Sequence, residues 1–182
     1  EVISTQPWTA HALVAEHYRK GRVFLAGDAA HLFTPTGGFG MNTGVSDVID
    51  LGWRLQACLD GWGGPALLQS YETERQPVGV RNTTEAADCF DRLFAVMQEG
   101  DVIDDNGPEG QRVREGLKGL IEQQEKLIVS SGTLLGYRYR NSPINISDGT
   151  PEPEDHPRNY VPTARPGHRA PHIWLADGGS IL

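Results

Sequence analysis

Apolar positions along the chain alternate between short runs and long helical stripes, cut apart by glycine and proline. Trp8 to Tyr18 reads as a short helix capped by Thr9, with Leu13, Val14 and His17 on one side. Val23-Phe24-Leu25-Ala26 is a continuous apolar run bounded by glycines, the pattern of a buried, central, parallel strand. Val2-Ile3 reads as the tail of another strand. A loop from Gly27 to Gly40 follows, then a helix starting near Met41 and Asn42. Its stripe is Val45, Val48, Ile49, Gly52, Leu55 and Leu59, at i, i+3, i+4, i+7 spacing. Asp47, Asp50 and Arg54 fall off that stripe, and Asp50–Arg54 makes an i,i+4 ion pair. Gly61 to Pro65 turns the chain into a second helix, Ala66 to Met97, which Pro77 is expected to kink or split. Beyond Pro77, the residues Val80, Thr84, Ala87, Phe90, Phe94 and Met97 keep the helical period.

After a polar loop from Gly100 to Gly110, Pro108 suits the first position of a third helix. Val113, Leu117, Leu120, Ile121 and Ile128 mark its apolar side. Leu135, Tyr137 and Tyr139 alternate with polar or small residues, which predicts a short strand. Asp148 to Gly167 is rich in proline and charge and poor in aliphatic residues, so it reads as a linker or an arm wrapped over a surface.

Charge narrows the function classes. Lys plus Arg is 16 against 24 for Asp plus Glu, a net charge of -8. No basic run exceeds two residues, so a nucleic-acid partner is excluded as an expectation. No stretch approaches the roughly 20 apolar residues of a membrane span. The opening residues have no secretory pattern. Cys58 and Cys89 form no CxxC and read as reduced thiols of a cytoplasmic protein. No metal site is expected: His168 and His172 are four apart, but Pro166 and Pro171 break the helix that spacing needs. The chain opens at Glu1 and closes on Ile181-Leu182, and we read it as a fragment of a longer protein.

The segment strand, Gly27-Asp28, glycine-rich loop, helix carries the chemistry. A strand ending at Asp28 would present its carboxylate where open α/β sheets place ligands, and a carboxylate there suits a ribose-like hydroxyl. Gly37, Gly38 and Gly40 permit close backbone approach and positive φ. The following helix aims free N–H groups and a positive dipole end at the same space, which favours an anion. His31 reads as a hydrogen-bonded structural histidine.

The string Gly27-Asp28-Ala29-Ala30-His31, then Pro35-Thr36-Gly37-Gly38-Phe39-Gly40-Met41-Asn42-Thr43-Gly44, then Asp47, Leu51, Trp53 and Leu55, closely resembles a known motif. It is the second flavin-binding motif of FAD-dependent aromatic-ring hydroxylases, the p-hydroxybenzoate and phenol hydroxylase family. The resemblance continues through Tyr71, Glu74-Arg75 and Pro77, and through Leu135-Gly136-Tyr137-Arg138-Tyr139. Arg165 to His172 is similar to the lead-in to the thioredoxin-like C-terminal domain of the phenol and polyketide hydroxylase branches.

The resemblance implies an α/β fold, the C-terminal part of a Rossmann-like FAD-binding domain. Residues 1–20 would end the substrate domain and connect onward. Residues 21–147 would complete the FAD-binding domain with a helical extension, 148–167 would be the linker, and 168–182 would begin the thioredoxin-like domain. Gly27 and Asp28 would hold the ribityl chain of FAD; Pro35, Thr36, Gly37, Gly38 and Gly40 would line the ring or substrate side. Met41 and Asn42 would hold the pyrimidine end. No catalytic residue is assignable. The implied reaction uses FAD, NAD(P)H and O2 to hydroxylate a phenolic or other aromatic substrate through a C4a-hydroperoxyflavin. GxGxxG is absent from these residues, so the fragment alone is not expected to be a complete enzyme. The alternatives are an FAD oxidoreductase or halogenase of the same fold, or a non-catalytic assembly module. In the last, the kinked and third helices would form a homodimer surface.

Overall fold

The computed structural model describes residues 3–98, 100–123 and 129–181. Ordered along the chain are strands β1 (Leu13–Val14), β2 (Arg19–Lys20), β3 (Val23–Phe24) and β4 (His31–Leu32), with a 3-10 turn at Gly27–Ala29. Helices follow: α1 (Phe39–Leu59), α2 (Pro65–Gln98), α3 (Pro108–Gln123) and α4 (Ser131–Leu135), with a second 3-10 turn at Gly100–Asp104.

The opening segment is extended where a helix was expected. β1 pairs antiparallel with β4, Leu13 opposite Leu32 and Val14 opposite His31. The Ala15 N–H donates to the Ala30 carbonyl at 2.8 Å. Those partners lie far along the chain, and local periodicity carries no information about them. The run from Val23 is likewise not a central parallel strand here. β3 folds back on β2 as an antiparallel pair, and Val23 is exposed. Val2 and Ile128 lie outside the described residues, and Ile3 is in no strand.

α2 runs unbroken through Pro77. The face it buries is offset from the one that the apolar period predicted. Arg75, Val78, Gly79, Asn82, Thr83, Ala86 and Cys89 are buried, while Val80, Phe94 and Met97 are exposed. α1 shows the same inversion more strongly. Its buried residues are Phe39, Thr43, Asp47, Arg54 and Ala57, whereas Val45, Val48, Ile49 and Leu59 are exposed. The cause is charge complementarity. Asp47 on α1 meets Arg75 on α2, and Arg54 on α1 meets Glu74 on α2, each side chain at most 2% exposed. The expected Asp50–Arg54 pair is present beside them. Paired and hydrogen-bonded charges tolerate burial, so the two helices meet on their polar faces.

Tyr18 and Tyr71 anchor a small apolar core under β1 to β4, with Phe24, Leu25 and Leu51 packed around them. The Tyr71 hydroxyl donates to the Leu25 carbonyl at 2.7 Å. Gly79 makes room for this core, because a Cβ there would collide with the Tyr18 hydroxyl.

The predicted strand around Leu135 is not formed: Leu135 ends α4, and the following stretch contributes a single antiparallel bridge, Arg138 to His168. Residues 148–167 form no helix or strand. They lie against α2 and α4, with Asp155 paired to Arg81 at 2.9 Å and the Pro157 carbonyl accepting from Thr133 N–H at 2.9 Å. No helix among the described residues is long and apolar enough to cross a membrane.

Candidate functional site

Beside the first turn of α1 is an open cleft of about 650 Å³. It is lined by Trp8, Thr9 and His11 together with Asp28, Leu32 to Thr36 and Gly38 to Met41. Six sequence-predicted residues share this cleft: Asp28, Pro35, Thr36, Gly38, Gly40 and Met41. Gly27, Gly37 and Asn42 do not line it. Gly27 precedes Asp28 at φ 58, and its carbonyl accepts from Ala30 N–H at 2.8 Å, which closes the turn. The Asn42 side chain turns back to donate to the Gly38 carbonyl at 2.8 Å.

The loop geometry follows from two consecutive left-handed glycines, Gly37 at φ 71 and Gly38 at φ 66. Gly38 is the residue that begins α1, so the helix opens at Phe39, earlier than the pattern placed it. The N–H groups of Phe39, Gly40 and Met41 therefore lack intrahelical acceptors, and the 21-residue helix directs its positive end there. Gly40 departs from expectation. Its φ is not positive, and a Cβ there would meet Phe33 at 3.6 Å, an ordinary contact.

A larger cleft of about 690 Å³ opens on another face, near Pro77, and contains none of the predicted residues. Its three arginines are already engaged, Arg81 with Asp155 and Arg138 with Glu152 at 2.9 Å, and Arg140 with Glu152 at 2.7 Å.

Behind the first cleft is a fully buried polar network. The Asp47 carboxylate accepts from Gly27 N–H at 3.1 Å and lies 2.6 Å from His31 Nε2. Its other oxygen accepts from Arg75 Nε at 2.8 Å. Burial pushes the Asp47 carboxyl up, but His31, Arg75 and the Gly27 amide together outweigh it and hold it below the usual range. Arg75 also donates to the Thr43 carbonyl at 3.3 Å and to the Tyr139 hydroxyl at 3.2 Å. Asn82 donates to Thr43 Oγ1 at 3.0 Å, and Thr36 Oγ1 donates to the Ala86 carbonyl at 2.6 Å. Glu74, between Arg54 and Ser142, is shifted upward: burial dominates, and those two partners do not cancel it.

His31 is hydrogen-bonded and buried, the role that the sequence suggested. Asp47 and Arg75 stand among the residues that carry the resemblance but were given no role there, and Asn82 was not singled out. The available signal was complementarity: Asp47 and Arg54 share one face of α1, and Arg75 and Glu74 supply the opposite charges on α2.

Comparison with known proteins bears on this arrangement. Residues 1–86 match the FAD binding domain family. An FAD-dependent monooxygenase of Penicillium oxalicum is 37% identical over 188 residues, covering 100% of this chain and 36% of that protein. Phenol 2-monooxygenase of a Pseudomonas species is 32% identical, covering 97% of this chain and 32% of that protein. The crystal structure of the flavin-dependent monooxygenase PieE, in complex with FAD and substrate, superposes with a TM-score of 0.84 at 35% identity. The match covers 96% of this chain and 34% of PieE. Residues 1–86 carry the FAD binding domain match, and over its whole length the chain is similar to FAD-dependent monooxygenases. It spans about a third of the length of the curated relatives it matches. Asp28, the stretch Leu32 to Thr36 and the start of α1 from Gly38 to Met41 all line the one cleft.

Proposed function

We propose that this chain is the part of an NAD(P)H-using flavoprotein monooxygenase that grips the ribityl chain and ring of FAD beside an aromatic substrate. The cleft that joins Asp28 to the open end of α1 carries the reading. Its donor and acceptor set fits the cofactor. The exposed Asp28 carboxylate suits ribityl hydroxyls, and the amides of Phe39, Gly40 and Met41 suit the electron-rich pyrimidine end of the ring. Gly38 leaves the approach open, since a Cβ there would meet nothing within 4 Å. Trp8, Phe33 and Pro35 supply flat apolar surface on which a ring can rest and from which water is displaced. When bound, FAD reduced by NAD(P)H supplies oxygen activation and hydroxyl transfer. The protein's part is orientation, exclusion of water and stabilisation of charge at the helix start. The pyrophosphate and adenosine contacts are assigned to other parts of the full-length protein, because these 182 residues contain no GxGxxG.

The test is Asp28→Ala in the full-length protein, with FAD affinity measured by titrating the deflavinated enzyme. A hydrogen bond to a charged group contributes about 1.5–3 kcal/mol, so affinity should fall by roughly 10- to 150-fold. An unchanged dissociation constant would remove Asp28, and this reading with it.

A further inference from the structure

We infer that Arg75 is a positioning residue for the flavin cleft, one guanidinium that fixes both of the elements meant to touch the cofactor. The inference rests on the reading above, and deepens it. Arg75 lies on α2, is 1% exposed, and does not line the cleft. Its Nε holds Asp47, and Asp47 in turn accepts the N–H of Gly27, immediately before Asp28. Its NH2 group reaches the carbonyl of Thr43, near the start of α1. The turn bearing Asp28 and the amide end of α1 are thus tied to the same planar group.

Two further observations support a single clamp. α1 passes so close to the turn that a Cβ on Gly44 would lie 3.1 Å from the Gly27 Cα, so the two elements move as a unit. One stripe of α2 serves the whole cleft wall. Arg75 holds the turn and α1, Asn82 holds Thr43 Oγ1, and the carbonyl of Ala86 holds Thr36. The third arm of Arg75 reaches the Tyr139 hydroxyl at 3.2 Å, and its guanidinium lies 5.4 Å from the centre of the Tyr137 ring. This fastens the clamp to the segment that bridges to His168. A lysine keeps the charge at this position but has no planar fork, so it cannot reach Asp47 and Thr43 together.

The experiment uses the full-length flavoprotein with Arg75→Lys, and with Asn82→Ala as the milder variant. Three quantities are read: FAD affinity, the visible circular dichroism of bound flavin, and the flavin midpoint potential. Arg75→Lys is expected to weaken FAD binding about tenfold and to change both the flavin dichroism and the potential. Asn82→Ala should move the same quantities in the same direction by less. If Arg75→Lys does not fold, Asn82→Ala decides alone. Wild-type affinity, dichroism and potential in whichever variants fold would overturn the inference, even if thermal stability dropped. Asp28→Ala is run in parallel. If it loses FAD while the α2 variants keep it, only the clamp fails; if it keeps FAD, the cofactor reading itself fails.

Discussion

Asp47→Asn is expected to destabilise the protein by about 3–5 kcal/mol, the cost of removing one partner from a buried ion pair. The substitution preserves volume and therefore isolates the charge. Arg75 stays a cation in the fold, because Tyr139 and Asp47 together more than offset its desolvation. An asparagine has one carbonyl oxygen where Asp47 meets three groups, the Gly27 N–H and His31 Nε2 at one oxygen and Arg75 Nε at the other. If that oxygen faces Arg75, the NH2 group confronts the N–H of Gly27; if it faces Gly27, Arg75 is opposed by a donor. Either arrangement leaves a buried donor unsatisfied. Urea denaturation of the full-length protein measures the loss. A difference from wild type below about 1 kcal/mol, within the range of an exposed pair, would show that Asp47 is not the hub of this network.

The same residue sets an acid limit. The Asp47 carboxyl is more acidic in the fold than in the unfolded chain, where it titrates at about 3.9. Its stabilisation is therefore complete above that value and is lost as pH falls through the lower folded value. Glu74 has the opposite sign. Burial holds its carboxyl above the usual range, so ionisation there costs stability, and acidification removes that cost first. Glu74→Gln should accordingly cost less than Asp47→Asn at neutral pH. It should also flatten the stability profile on the mildly acidic side, whereas Asp47→Asn should flatten it only below about pH 4. Urea midpoints across pH check both slopes.

The three long helices were readable from the chain, and their facing was not. The second helix was expected over Ala66–Met97 and spans Pro65–Gln98, and Pro108 begins the third as its position suggested. Long uninterrupted periods and a proline at the first position are local signals, sufficient by themselves. Which face turns inward depends on the partner. The apolar stripe of α1 was read as buried, yet Val48 is 61% exposed while Asp47 beside it is fully buried. No rule applied to one helix anticipates that, because Arg75 lies 28 positions away. The segment from Trp8 failed for the same reason: β1 is held by β4 and by the carbonyl of Ala30. In the cleft, six of the nine residues that the resemblance named come together. The second layer of Asp47, Arg75 and Asn82 is visible only once α1 and α2 are packed together.

Gly37→Ala should damage the cleft wall, and Gly40→Ala should not, although the two glycines lie three positions apart. Gly37 has φ 71, a conformation that costs a residue with a Cβ about 1–2 kcal/mol. Its Cβ would also run into the ring of Phe39, which is 2% exposed. Forcing a carbon into a packed site adds about 1–3 kcal/mol. The total loss is therefore about 2–5 kcal/mol, or a displaced ring and a rebuilt loop. Gly40 is already helical, and alanine in a helix is favoured over glycine by about 0.8–1.0 kcal/mol. Its Cβ would rest against Phe33 at 3.6 Å without collision. Denaturation midpoints of the two full-length variants give the folding cost, and titration with FAD gives the cost to the cleft. Gly37→Ala should lose on both measures, whereas Gly40→Ala should match or exceed wild type in stability. Equal losses in the two variants would contradict a left-handed Gly37 and an ordinary helical Gly40, and with them the cleft wall described above.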